Sequence, residues 1–177
     1  MRILLTTVAG VILAGTTLAE DAAKQASQVV LKSPDGKKEY NLGKLTANGP
    51  VLVRLTCACS GCDRELPYFQ KLQAAYNEKG LQTIAVFQES PDAASEYAAK
   101  KGLQFFWLAD PKGVTWKTFD AKTMPTNILI DKGGKVVKVL PGCTRDGKNA
   151  QILSAEVARL LKTDVARVAG PDSAPKK

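Results

Sequence analysis

The chain has 177 residues, 45% of them hydrophobic and 24% charged, with a formal net charge of +8. That length suits one domain with a full-sized core and leaves no room for a second. The lysines and arginines are scattered, in pairs at most, which indicates a solvated basic surface and argues against a nucleic-acid-binding protein.

The first 19 residues have the pattern of a cleavable secretory signal. Arg2 is followed by an apolar run through Leu13 and by small residues that end at Ala19. The apolar run is shorter than the stretch of about 20 apolar residues that a transmembrane helix needs. We therefore expect cleavage near Ala19, no permanent membrane span, and a periplasmic or secreted protein. In such an oxidising compartment, four cysteines are expected to be paired or redox-cycled.

The remaining chain divides into three predicted parts. Residues 20–28 are polar and alanine-rich and predict a flexible lead-in, residues 29–165 predict the folded domain, and residues 166–177 predict a disordered tail.

The order of predicted elements indicates an α/β domain. Residues 29–31 and 39–42 predict an N-terminal β-hairpin, and residues 51–55 and 81–87 predict buried strands, each followed by a helix. Pro67 is expected to kink the first of these helices. An apolar run at 105–108, a helical turn at 115–119, a hairpin at 126–130 and 135–140, and a helix at 149–161 follow. This order predicts a mixed central sheet flanked by helices.

Cys59 and Cys62 lie between the buried strand at 51–55 and the helix after it. A thiol at a helix start faces unpaired N–H groups that favour the thiolate, so Cys59 is the expected nucleophile. Cys62 is one turn further on and can attack a mixed disulfide on Cys59, so the two predict a dithiol/disulfide couple. Cys57 is expected to face the core at the strand end.

A zinc site and a structural disulfide both account less well for the cysteine pair. A zinc site usually recruits a second cysteine pair or histidines, but the chain has no histidine, and Cys57 and Cys143 are the only further thiols. A structural disulfide that closes so short a loop constrains the unfolded chain very little. We therefore favour redox chemistry and expect neither a metal nor a cofactor.

Several motifs together resemble a known family. They are Cys59-x-x-Cys62 with Glu65-Leu66-Pro67 after it, the turn Asp110-Pro111-Lys112-Gly113, and Met124-Pro125-Thr126 before an apolar strand. They look like the thioredoxin-like superfamily in its exported TlpA/ResA-like branch, of the redoxin or AhpC-TSA type, over residues 29–161. The resemblance implies a thioredoxin-like fold and a thiol-disulfide oxidoreductase. It also implies protein thiol and disulfide substrates and an unidentified redox partner.

The resemblance also implies roles for individual residues. Cys59 becomes the exposed nucleophile and Cys62 the resolving thiol. Pro125 becomes a cis-proline that faces the cysteines and leaves the backbone of Met124 free to pair with an extended substrate. Glu65 either handles protons or is an ordinary exposed glutamate on the helix.

The sequence departs from the family pattern beside the cysteines. Ala58 stands where a tryptophan is common, and Arg54 stands where many relatives carry a buried acidic or amide residue. Two interpretations of Arg54 are open: a packed stem with its head in water, or a fixed positive charge that holds Cys59 or Cys62 as thiolate.

Two further functions fit parts of the sequence. Thr56-x-x-Cys59 has the peroxiredoxin spacing, although Leu52 stands where the peroxiredoxin proline would be. The run from Cys57 to Cys62 is also rich in soft thiolates that suit Cu(I). Copper-delivery relatives on this fold use a histidine ligand, however, and the chain has none.

Cys143 follows the last predicted strand. Two reversals of direction bring the end of that strand to the same sheet edge as the end of strand 51–55, about 10 Å away. Cys143 is thus expected in a loop beside the site, either as a third redox thiol or as a small buried hydrophobe.

Overall fold

The computed structural model describes residues 26, 28–35 and 37–168, and its strands form one seven-stranded sheet. The predicted signal peptide lies outside the described residues. The strands are β1 (Val30–Lys32), β2 (Glu39–Asn41), β3 (Val51–Thr56), β4 (Gln82–Phe87), β5 (Phe106–Ala109), β6 (Thr126–Ile130) and β7 (Val136–Pro141). Their order in the sheet is β2-β1-β5-β4-β3-β6-β7.

The strand directions confirm the predicted mixed sheet. β3, β4 and β5 are mutually parallel neighbours, β6 runs antiparallel to β3, and β7 antiparallel to β6. β1 and β2 form the predicted N-terminal hairpin, which joins the sheet through β5. Because β7 has reversed direction twice, its end lies at the same sheet edge as the carboxyl end of β3.

The α-helices bounded within the described residues are α1 (Leu42–Leu45), α2 (Ser60–Asp63), α3 (Leu66–Tyr76), α4 (Pro91–Lys101), α5 (Val114–Thr118) and α6 (Lys148–Leu161), and a short 3-10 helix spans Asn77–Lys79. The sequence patterns did not predict α1. Within the described part of the chain, no helix has the length and apolar character needed to cross a bilayer.

The helix predicted after the cysteines is in fact two helices, α2 and α3. Pro67 lies in the first turn of α3, where its missing N–H costs no intrahelical hydrogen bond. The predicted kink is therefore a break, and the turn between the helices contains Glu65.

β3 is the central strand of the core and is buried along its whole length. Alternate side chains of a strand face opposite sides of the sheet. Val51, Val53 and Leu55 accordingly pack in one apolar cluster, while Leu52 packs in the other, with Phe69. By this alternation, Arg54, the one charged residue of β3, lies on the same face as Leu52, where it contacts Phe69 of α3.

Both ends of the described domain extend beyond the predicted boundaries. Ala26, within the predicted lead-in, is fully buried. At the other end, Ala166 N donates to Tyr76 Oη at 2.7 Å and Val168 N donates to Gln151 Oε1 at 3.0 Å. Residues 166–168 thus pack on the domain, contrary to the predicted tail, because backbone donors and the buried Val168 side chain find partners there. Residues 169–177 lie outside the described part.

We predict that Gly147→Ala destabilises the fold. Gly147 has φ +74°, and a Cβ there would lie 2.7 Å from the Tyr68 ring. Left-handed strain and overpacking together should lower the free energy of unfolding by about 2–4 kcal/mol in urea denaturation. The matched control is Gly102→Ala, which has φ +57° and nothing within 4 Å of the added Cβ. It should cost only about 1 kcal/mol, and equal losses in the two variants would contradict the packing argument.

Candidate functional site

The cysteine motif lies at the carboxyl end of β3. Cys57 directly follows the last residue of the strand, Cys59 is the N-cap residue of α2 with extended backbone (φ −122°, ψ 153°), and Cys62 is in the first turn of α2. Cys59 is exposed, Cys57 is half-buried and Cys62 is buried. This order of exposure supports Cys59 as the thiol that a large substrate reaches first.

The three sulfurs form one cluster. Cys57 and Cys59 are joined in a disulfide, while Cys62 is free. Cys62 Sγ lies 3.3 Å from Cys57 Sγ and 3.7 Å from Cys59 Sγ. The predicted contact between Cys59 and Cys62 is therefore present, but the bonded partner of Cys59 in this structure is Cys57.

The expectation that Cys57 faces the core is wrong. β3 ends at Thr56, so the alternation that would direct the next side chain inward no longer applies at Cys57. Its side chain instead meets the start of α2, where the other two sulfurs lie.

Arg54 is the one charged side chain on the buried strand, with 2% exposure. Its guanidinium donates to Asn127 Oδ1 at 2.7 Å, to Glu65 Oε2 at 3.3 Å and to the Cys62 carbonyl at 3.2 Å, and it lies 4.3 Å from the Phe69 ring centroid. The interpretation that placed its head in water is thus wrong. Burial lowers the pKa of Arg54, and the charges of Glu65 and then Cys62 oppose that shift.

Glu65 is fully buried in the break between α2 and α3, so its interpretation as an exposed helical glutamate is wrong. Both carboxylate oxygens have partners. Oε2 pairs with Arg54, and Oε1 accepts from Thr144 N at 2.9 Å and from Thr144 Oγ1 at 3.0 Å. One carboxylate therefore joins the strand arginine to the loop after β7.

Cys143 lies in that loop and is exposed, so its interpretation as a buried hydrophobe is wrong. Its thiol donates to the carbonyl of Gly61, between Cys59 and Cys62, with a sulfur–oxygen distance of 3.5 Å. The loop beside the site is thus where the strand directions placed it.

The Met124–Pro125 peptide bond is cis, as the family resemblance implied. The Pro125 carbonyl accepts from Gly142 N at 2.7 Å, next to Cys143. The cis-proline turn and the loop after β7 are therefore tied together by a backbone hydrogen bond. Pairing of Met124 with a substrate stays a prediction.

Glu89 and Asn127 are among the polar residues of the site that the sequence does not indicate. Glu89 Oε1 accepts from Ala58 N at 2.9 Å, while Oε2 is buried without a hydrogen-bond partner among the described residues. Because Glu89 follows the strand parallel to β3, its position at the shared carboxyl edge could be inferred from topology. Asn127 is the cross-strand partner of Arg54, and that register could not be read without the structure.

A second charged contact anchors α2 to α4. Asp63, beside Cys62, accepts from Tyr97 Oη and pairs with Lys101 Nζ at 2.6 Å. Burial acts to raise the pKa of Asp63, but the hydrogen bonds from Lys101 and Tyr97 outweigh it and the net shift is downward. Burial and the bond to Asp63 raise the pKa of Tyr97. Asp63 is thus held as a carboxylate that fixes the cysteine helix.

Comparison with known proteins agrees with this geometry. The chain matches the Redoxin family over residues 18–152, more than half its length. It is 32% identical over 123 residues to the thiol-disulfide oxidoreductase ResA of Bacillus thuringiensis subsp. konkukian, covering 69% of this chain and 70% of the relative. The ResA of Halalkalibacterium halodurans is 31% identical over 122 residues, covering 68% of this chain and 69% of that protein.

Solved structures give the same fold. A protein of Chlorobium tepidum assigned as the thiol:disulfide interchange protein DsbE superposes with a TM-score of 0.68 at 28% identity, covering 77% of this chain and 94% of the other. Peroxiredoxin Q of Xanthomonas campestris superposes with a TM-score of 0.67 at 18% identity, covering 78% of this chain and 94% of the other. The latter likeness shows the thioredoxin-like fold alone.

We predict that Glu65→Gln destabilises the reduced protein by about 3–5 kcal/mol, because it leaves the Arg54 charge buried without its counter-ion. The double variant Arg54→Met/Glu65→Gln should recover part of this loss, since Gln still accepts from Thr144. Urea denaturation gives the free energies of unfolding.

The matched control for that experiment is the exposed pair Arg159–Glu156, whose nitrogen–oxygen distance is 3.0 Å. Glu156→Gln should cost no more than about 1 kcal/mol. A similarly small cost for Glu65→Gln would show that the buried pair does not organise the site.

Proposed function

Because the chain belongs to the redoxin family, we propose how it works as a thiol-disulfide oxidoreductase: Cys59 is the nucleophile, and two neighbouring thiols are each able to resolve its mixed disulfide. The observation that carries this proposal is the contact of both the Cys57 and Cys62 sulfurs with that of Cys59. Thiol–disulfide exchange through a mixed disulfide requires only one resolving thiol beside the nucleophile.

In the reducing direction, the thiolate of Cys59 attacks one sulfur of a substrate disulfide. A mixed disulfide forms and the other substrate sulfur leaves as a thiolate, which takes up a proton. The thiolate of Cys62 or of Cys57 then attacks the sulfur of Cys59, releases the second substrate thiol and leaves an intramolecular disulfide. The oxidising direction is the reverse, and an external thiol–disulfide partner resets the pair in either case.

The proximity of the sulfurs supports two resolving routes. Cys62 Sγ lies 3.7 Å from Cys59 Sγ, but the side chain is buried under the start of α2. Cys57 approaches from the strand end and is bonded to Cys59 in this structure. An attack of Cys62 on Cys59 in that disulfide would release the thiolate of Cys57, so the two disulfide isomers can interconvert without an outside reagent.

Arg54 and Glu65 support the site as positioning residues. The Arg54 guanidinium donates to the carbonyl of Cys62. Both oxygens of Glu65 already have partners, because Oε2 pairs with Arg54 and Oε1 accepts from Thr144 N. A carboxylate so occupied favours a positioning role for Glu65 over the transfer of protons.

The face around Cys59 is proposed to bind protein substrates. The cis-proline turn and the loop carrying Cys143 flank the cysteines and are joined by the bond from Gly142 to Pro125. Backbone groups of Met124 would pair with an extended segment of the substrate, as strands pair at a sheet edge. Exposed Cys143 would serve as an auxiliary thiol that exchanges with Cys59.

Export to the periplasm or outside the cell is likewise a proposal, supported by the signal-like pattern of residues 1–19. The substrates there would be proteins with accessible disulfides or thiols. Sequencing the amino terminus of the protein recovered from the producing cell would test cleavage near Ala19.

We predict that single resolving variants remain competent, whereas the double variant stalls. In a Cys143→Ser background, each reduced protein is mixed with the chromogenic aromatic disulfide of Ellman's assay. Attack by Cys59 releases a first coloured thiolate, and resolution releases a second. Cys57→Ser and Cys62→Ser should each release the second thiolate, whereas Cys57→Ser/Cys62→Ser should retain the aromatic adduct on Cys59, visible by mass.

Each alternative has its own result in this assay. If Cys62→Ser alone retains the adduct as fully as the double variant, Cys57 does not resolve. If Cys59→Ser gives both releases as fast as the protein that keeps Cys57, Cys59 and Cys62, the assignment of the nucleophile is wrong. Consumption of hydrogen peroxide by the reduced protein faster than reduction of insulin disulfides would favour the peroxidase hypothesis.

A further inference from the structure

The sulfurs of Cys57, Cys59 and Cys62 all lie within 4.8 Å of one another. They come from two elements: Cys57 directly follows β3, whereas Cys59 and Cys62 lie at the start of α2. Thiol exchange needs only two of these sulfurs at a time. A third thiol in contact with both of the others supplies a complete set of soft donors.

We propose that, in the fully reduced protein, these three thiolates form a binding site for one Cu(I) ion. Binding needs only the three reduced thiols and does not rest on the exchange chemistry proposed above. The ion would be held between the strand end and the helix start, on the side where Cys59 is exposed.

The donor set selects the metal. Thiolates favour soft ions such as Cu(I), and also Zn(II). Structural zinc sites are almost always four-coordinate, and the three-sulfur cluster has no fourth sulfur, carboxylate or imidazole among the described residues. The chain has no histidine. Cys143 contacts the Gly61 carbonyl and is outside the cluster, so the site suits an ion that accepts three sulfurs.

The surroundings of the cluster fit a thiolate site. Glu89 Oε1 accepts from Ala58 N in the cysteine loop, and Glu89 is not a member of the three-sulfur cluster. The buried guanidinium of Arg54 donates to the carbonyl of Cys62 and so fixes the backbone of one of the three donors, while its charge is paired with that of Glu65.

Oxidation of the cysteines would release the ion. When the thiolates of Cys57 and Cys59 together give two electrons to a substrate disulfide, they become one disulfide, and the substrate leaves as two thiolates that take up protons from water. Copper remains Cu(I) in this step and loses two of its three ligands. Release by this route, unlike binding itself, rests on the proposed exchange function.

The test is a competition titration under anaerobic conditions. Reduced wild-type protein is mixed with Cu(I) held by a coloured chelator, and removal of the ion is followed by the loss of colour. We expect one ion per chain, and a Cys57→Ser affinity at least roughly a hundredfold lower, since even loss of a supporting partner around a metal ligand costs 10–100-fold. Cys59→Ser and Cys62→Ser should weaken binding similarly.

Cys143→Ser is the matched control, because it removes a thiol outside the cluster, and it should bind Cu(I) as the wild type does. A second comparison needs no substitution and uses wild-type protein that contains the Cys57–Cys59 disulfide. This oxidised protein should not remove copper from the chelator, and its reduction should restore copper uptake. This comparison keeps the test valid if a serine variant fails to fold.

Three results would overturn the proposal. They are undiminished affinity of Cys57→Ser, an equal loss in Cys143→Ser, and displacement of Cu(I) by equimolar Zn(II). Reduction of insulin disulfides by the copper-free samples is measured alongside. Failure of the exchange chemistry is thereby distinguished from failure of the metal site.

Discussion

The buried ion pair between Arg54 and Glu65 is the constraint on which the site depends. A guanidinium with 2% exposure inside an apolar strand is tolerated only when its charge and its N–H groups are satisfied. Glu65 supplies the counter-charge, Asn127 on the neighbouring strand supplies an acceptor, and the Cys62 carbonyl supplies another. Through these contacts one side chain fixes β3, β6 and α2, the helix that carries Cys62. The second oxygen of Glu65 extends this control to Thr144 in the neighbouring loop.

That arrangement explains why three sulfurs meet. β3 ends at Thr56, and α2 begins three residues after Cys57. The carbonyl held by Arg54 and the contact of Asp63 with α4 fix α2 on the sheet. In the loop between β3 and α2, Ala58 N donates to Glu89 Oε1. The loop therefore folds Cys57 back toward Cys62, and Cys59 remains exposed between them.

The order of elements, the mixed sheet and the position of the Cys143 loop could be predicted, because they follow from local apolar patterns and from strand direction. The bonded partner of Cys59 could not be predicted. The direction of the Cys57 side chain depends on whether β3 ends before or after residue 57, and sequence patterns do not fix strand ends to within one residue. The sequence indicates Arg54 and Glu65 as separate candidates but not as a pair. Their contact depends on the break before α3, which brings the Glu65 carboxylate to the Arg54 guanidinium, and helical periodicity does not encode that tertiary contact. Pro67 alone indicated a kink, and a proline is equally compatible with a helix start.

Disulfide mapping of the oxidised wild-type protein tests whether Cys57, Cys59 and Cys62 act as one redox centre around Cys59. Free thiols are alkylated under acid conditions before digestion and peptide mass analysis. Because residues 57–62 lie on one peptide, cleavage between the cysteines or fragmentation of the intact loop is needed to assign the bond. We expect Cys59 to be bonded, to Cys57 in the main isomer, and Cys62 to be recovered as the alkylated thiol. Recovery of Cys59 as a free thiol in the oxidised protein would show that it is not the centre of the cluster.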